Sequence, residues 1–310
     1  MSELVDRDLT APEASLPGGP ADLRPGLVPE TPADRDPRRS TEPLWRSLTH
    51  GRGLAGAVLV GIVVLLGALA PVLAPFAPDE QLDASFLLGP SSTHWLGTDD
   101  VNRDVLSRVL FGIRADLVIV FVAVPAGAIL GSLIGLAAAI RGYTDVVAQR
   151  VFDVILAFPA LVLAIALTAV LGPGVRAIVL VIVLAEIPVF GRLIRTSVLR
   201  VRELPYVEAA VVSGASTGWV LRKHVLPNSI EPLGVQLALS MSVAVFIEGA
   251  MSFLGIGVVP PTPSLGSILS DGNRYLETNP LFAVGPLVVV SLLTLGFLLI
   301  SQAFAHARRL

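Results

Sequence analysis

The chain has 310 residues, of which 53% are hydrophobic and 15% charged, with a mean hydropathy of +0.75; a soluble domain averages about 25% charged. A net charge of −3 excludes the strongly basic surface that holds nucleic acid. With no cysteine, disulfides, thiolate metal sites and a cysteine nucleophile are excluded as well.

Residues 1–45 are rich in proline and in both charge signs, with almost no apolar periodicity. Such a segment cannot bury enough surface to offset its conformational entropy. It is expected to be a disordered cytoplasmic tail, with a docking arm for a partner as the alternative. Six apolar stretches then follow, each near the 20 or so helical residues that cross a hydrocarbon core. They run Leu54–Phe76, Leu117–Ile140, Val151–Leu171, Val175–Ile194, Ile230–Ala250 and Leu281–Ala303. The first begins too far along the chain, and is too long, for a signal peptide, so it reads as an anchor.

Arginine placement orients the bundle. With the N-terminus inside, the inner segments hold Arg38, Arg39, Arg46, Arg52, Arg141, Arg150, Arg192, Arg195, Arg200, Arg202, Arg222, Lys223, Arg308 and Arg309. The outer segments hold only Arg103, Arg108, Arg114, Arg176 and Arg274. Both termini are therefore expected in the cytoplasm, around a bundle of six transmembrane helices.

Between the fourth and fifth spans, residues 203–228 break the apolar pattern. Glu208-Ala209-Ala210 is followed by Gly214, and then by Leu226-Pro227. The small side chains let another protein approach the backbone, and Gly214 can take the positive φ that ends a short helix. Pro227 is expected to stop a second helix before the fifth span. The segment predicts a short helix along the membrane surface, a turn and a second helix. An interfacial helix with Val207, Val211 and Trp219 dipping into headgroups is the alternative.

This spacing resembles the cytoplasmic loop of permease subunits of binding-protein-dependent ABC importers, and the ending His224-Val225-Leu226-Pro227-Asn228 resembles their dipeptide and oligopeptide branch. Thr93-His94-Trp95-Leu96-Gly97-Thr98-Asp99, followed by Arg103-Asp104 and Ser107-Arg108, is similar to the outer loop of that branch's second permease. Arg150-Val151-Phe152-Asp153 with Ala157-Phe158-Pro159, and Glu248 with Ser252-Phe253-Leu254-Gly255, agree with it too. Three features depart from the pattern: Asn102 stands where the family has glycine, Leu265 where it has tryptophan, and Gln302–Leu310 lacks the family's Gly-Asp-x-Leu-Arg-Asp ending.

The resemblance implies a type I importer permease in the bacterial cytoplasmic membrane, without a catalytic site or cofactor of its own. It implies as partners a second homologous permease, two ABC ATPases that bind the ATP, an extracytoplasmic binding protein and a peptide substrate. Tyr206, Glu208, Ala209, Ala210, Gly214, Leu226 and Pro227 would couple to the ATPase. Glu248, Pro159 and Pro188 are candidates for the pathway or gate. Nickel, glutathione and other small solutes travel through similar subunits.

The residues themselves agree that ATP is handled elsewhere. A P-loop needs a glycine-rich turn ending in Lys and then Ser or Thr, and the only lysine, Lys223, lies between Arg222 and His224. His94 and Asp99 could form a weak metal site, but a solvated loop is the simpler expectation. Glu186 reads either as a snorkelling or ion-paired residue near the cytoplasmic end, or as the relay carboxylate of a proton-coupled secondary transporter that would also use Glu248. Prolines 125, 159, 188 and 286 are each expected to allow a kink. Gly127, Gly131 and Gly135 offer a close-packing face, within the subunit or between subunits.

Overall fold

The computed structural model describes residues 44–83, 85–140 and 142–307, so the tail expected over residues 1–45 lies almost wholly outside the described residues. Among these residues there is no strand. In chain order the elements are α1 (Leu44–Ser47), α2 (Gly51–Ala68), α3 (Ala70–Leu73), α4 (Val105–Ile140), α5 (Gly142–Leu156), α6 (Ala160–Leu171) and α7 (Val175–Arg202). Then come α8 (Pro205–Val212), α9 (Thr217–Val220), a π-helical turn (Leu221–Val225), α10 (Leu226–Ser229), α11 (Glu231–Phe253), α12 (Leu265–Asn273) and α13 (Pro280–Ala307).

Five of these helices, α2, α4, α7, α11 and α13, are long and apolar enough to cross a bilayer; a sixth span exists if α5 and α6 are counted as one. That third span, expected over Val151–Leu171 with a kink at Pro159, is broken into two helices that meet at 88°. The break lies at Phe158-Pro159, where Pro159 has no N–H to give and biases the residue before it out of the helical region. Pro125, Pro188 and Pro286 sit inside unbroken helices. Pro188 and Pro286 are buried and Pro125 half-buried, whereas Pro159 is exposed. Packing on neighbouring helices holds the first three in line, whereas Pro159 lies on an exposed face.

Helix α4 has 36 residues and starts at Val105, not at Leu117 as the apolar run alone suggested. At 1.5 Å per residue it is about 54 Å long, against a hydrocarbon core of about 30 Å. It is therefore longer than a single crossing requires.

The centre of the bundle is the seam between α4 and α7. Gly127, Gly131 and Gly135 face α7: a Cβ on Gly127 would come within 2.6 Å of Glu186 Cβ, and one on Gly131 within 3.0 Å of Ile187 Cα. The glycine stripe thus serves packing inside this subunit. Around the seam, Val120, Val124, Ile178, Ile182, Ala244 and Met251 form one apolar core. Helix α13 packs on α2 and α11.

Candidate coupling site

At the end of α7, Glu203 caps the helix and Pro205 opens α8 at a position where its missing N–H costs nothing. Helix α8 closes in a Schellman turn: Gly214 N–H bonds Val211 O at 3.0 Å, and Ala215 N–H bonds Ala210 O at 3.1 Å. Gly214 has φ +85°, as that turn requires. A Cβ on Gly214 would meet nothing within 4 Å, so among the described residues none crowds that position.

Ser216 then caps the next helix by accepting from Trp219 N–H. Here the structure corrects one expectation, because Pro227 does not stop this helix. Helical structure runs through it to Ser229. The missing N–H is absorbed upstream by the π-helical turn, in which Leu226 N–H reaches back five residues to Leu221 O. Asn228 Nδ2 donates to His224 O at 2.6 Å.

One face of this helix–turn–helix is anchored and the other is open. Val207, Val220 and Val225 are buried with Ala139, Ile194, Val198 and Val201 at the inner ends of α4 and α7. Val207 is therefore not available to headgroups. On the open side Tyr206, Glu208, Ala209, Gly214 and Pro227 are exposed, with Ala210 and Leu226 half-buried. A cavity of about 590 Å³ opens beside them, lined by Glu203, Val207, Glu208, Val211 and Thr217 among others.

A polar and aromatic clasp holds the two short helices together. Asn228 Nδ2 also donates to Tyr206 Oη at 3.2 Å. His224 lies edge-on to both Tyr206 and Trp219, with centroids 5.9 and 5.0 Å away. Asn228, His224 and Trp219 had no coupling role assigned from sequence, since only the fold brings residue 206 to residue 228.

Glu186 is neither snorkelling nor ion-paired among the described residues. It is buried midway along α7, where its Oε2 accepts from Ser240 Oγ of α11 at 2.6 Å. Glu248 is also buried, in contact with Asp116 of α4, and its Oε1 accepts from Ser252 Oγ at 2.7 Å. Asp116 Oδ2 accepts from Leu265 N–H at 3.0 Å, tying the N-terminus of α12 to the same point. The one sign of Asp116 in the sequence is a carboxylate heading an apolar run.

The outer loop between α3 and α4 is folded, contrary to the solvated loop expected. His94, Asp99 and Asp104 are buried. His94 Nδ1 pairs with Asp104 Oδ1 at 2.9 Å, while Asp104 Oδ2 accepts from Ser107 N–H and Oγ at 2.7 Å and so caps α4. Asp99 accepts from the N–H groups of Val101 and Arg103 at 2.9 and 2.8 Å and pairs with Arg103 and Arg108. Asn102 takes φ +66°, the conformation its glycine-like position requires. Asn279, which the sequence reading missed, donates to Leu96 O at 3.2 Å and joins this loop to the start of α13. His94 and Asp99 have different partners, and no cluster of three metal-binding side chains exists among the described residues.

Comparison with known proteins accords with this architecture. Residues 116–309 match the family described as binding-protein-dependent transport system inner membrane component. A dipeptide transport system permease, DppC of Alkalihalophilus pseudofirmus, is 34% identical over 92% of this chain and 96% of its own. The glutathione transport system permease GsiD of Pectobacterium atrosepticum is 32% identical over 88% of this chain and 92% of its own. Among solved structures, an amino acid ABC transporter chain superposes with a TM-score of 0.51 at 20% identity, covering 66% of this chain and 94% of that one, and supports the fold. The chain belongs to the inner-membrane components of binding-protein-dependent transport systems, as a multi-pass permease subunit of an ABC importer in the bacterial cytoplasmic membrane.

Proposed function

We propose that this permease forms half of a translocation pathway for dipeptides or oligopeptides, with a second homologous permease forming the other half. Two ATPase subunits bind and hydrolyse the ATP, and an extracytoplasmic binding protein delivers the peptide. The observation that carries this reading is the open face of α8. It presents small side chains and a glycine with free space around it, on a helix rooted in α7 through Val207. A rigid contact of this kind can pass a partner's motion into the span. To swing a two-state transporter from 1:99 to 99:1, the ATPase must supply about 5.5 kcal/mol of differential binding. Glu248, Pro159 and Pro188 remain our candidates for the gate: Pro159 as the corner of the bent span, and Glu248 through its link to α12.

Reconstitution tests the proposal. The purified chain alone should hydrolyse no ATP, and the full complex should take up labelled dipeptide only with ATP and the binding protein. Uptake driven by a proton gradient in ATP-depleted vesicles, and abolished by Glu186→Gln, would replace this reading with a secondary transporter. Cysteines placed at Glu80 and Asn273 should react with an impermeant reagent from outside intact cells, and one at Ser213 should not.

A further inference from the structure

On the side that the charge bias places outside, the ends of α4 and α7 and two loops enclose a groove of about 470 Å³. Phe111 and Val118 of α4 and Pro261 and Pro263 of the loop after α11 form apolar walls. Two charged residues, Asp79 and Arg114, line the same groove. Both are exposed, and neither makes an ion pair among the described residues. They differ in this from Arg103 and Arg108, whose charges are both committed to Asp99.

A groove of this size suits a small molecule, and apolar walls strengthen the few polar contacts made inside it. One cation and one anion, too far apart to pair with each other, complement a ligand with a carboxylate and an ammonium at opposite ends of a short body. A guanidinium is well shaped for a carboxylate because it can donate two parallel hydrogen bonds. The names of the relatives point the same way. Dipeptides and glutathione differ in their side chains, yet each carries a free ammonium and a free carboxylate.

We infer that Arg114 and Asp79 form an entry site for zwitterionic short peptides, Arg114 taking the C-terminal carboxylate and Asp79 the N-terminal ammonium. This rests on the peptide reading above and adds a selection that the permease makes itself. Substrate side chains lie along the proline and phenylalanine walls, which accept many shapes, so the site reads the termini and not the sequence of the peptide.

The test uses the full transporter complex in nanodiscs, without the binding protein, so that only the permeases can select. Val118, 58% exposed in the groove wall, is replaced by the photo-crosslinker p-benzoylphenylalanine and illuminated with radiolabelled Ala-Phe. Labelling should be saturable, and C-amidated or N-acetylated Ala-Phe should compete about tenfold less well than the free dipeptide. Arg114→Gln should remove the penalty for amidation and keep the one for acetylation; Asp79→Asn should do the reverse, and Arg114→Lys should restore most of the first. Equal competition by blocked and free peptides, or cross-linking to phospholipid in place of peptide, would overturn the site. A parallel uptake assay with the binding protein separates the two levels. Dipeptide uptake with equal competition sinks this site alone, whereas no dipeptide uptake by the wild-type complex sinks the peptide reading.

Discussion

The two ends of this bundle are built on opposite principles. At the outer end, the loop before α4 buries Asp99, Asp104 and His94 and gives each a partner from its own chain. At the inner end, α8 keeps Tyr206, Glu208, Ala209 and Gly214 exposed, and a Cβ on Gly214 would meet empty space. Polar side chains that close on one another hold a fold together, since leaving one of them buried without its partner is costly. Small side chains left open stabilise little by themselves; their use is to admit another surface. On this contrast we read the outer segment as structural and propose the inner one as an interface.

That contrast predicts a separation of stability from coupling. The largest loss should come from Asp99→Ala, which strands Arg108 in a buried site. Breaking a buried pair costs about 3–5 kcal/mol, and the expected outcome is loss of the monodisperse protein in detergent, read by size-exclusion chromatography and melting. Normal melting would show that the outer network carries no such load.

Next comes Gly131→Ala in the seam between α4 and α7, where the added Cβ would press on the Ile187 backbone. Overpacking of this kind costs about 1–3 kcal/mol. The melting temperature should fall, and Gly61→Ala, which has open space around it, should leave it unchanged.

Gly214→Val should cost about 1–2 kcal/mol, the penalty of a left-handed conformation for a residue with a side chain. Its effect on ATPase association and on uptake should be far larger than that, with Glu208→Lys acting similarly through charge reversal. Pull-down of the ATPase and vesicle uptake on the same preparations check this. Normal assembly and uptake in both variants would make α8 an ordinary connector, and the contrast between the two ends would collapse.

The smallest effect should follow Tyr206→Phe, which removes the hydroxyl that Asn228 donates to. One exposed hydrogen bond is worth about 0.5–1.5 kcal/mol. The expected sign is faster hydrogen exchange in α8 with unchanged exchange in α11, since the clasp joins only the two short helices.

Much of this architecture is legible from local chemistry. A run of apolar residues long enough to cross a bilayer is a property of the run itself, and five of the expected spans each overlap one long helix, although the first helix ends at Ala68 and not at Phe76 and the second begins at Val105. The proposed coupling segment is equally local: Gly214 lies four residues after Ala210, and the Schellman turn forms between those neighbours. Tertiary structure alone decided the rest, because the deciding neighbours are distant in sequence. Four prolines look alike in the chain, yet of these only the exposed one, Pro159, breaks its span. Asp116 and Glu248 are 132 positions apart, the difference of their residue numbers, and only the packing of α4 on α11 turns them into one buried pair. The outer loop is as polar as a solvated one; Asp99 and Asp104 find their partners on near neighbours in sequence, and it is Asn279, 183 positions from Leu96, that closes the loop against the start of α13. Hydropathy and turn chemistry act over a few residues, whereas the burial of a charge depends on whether a partner arrives from elsewhere in the fold.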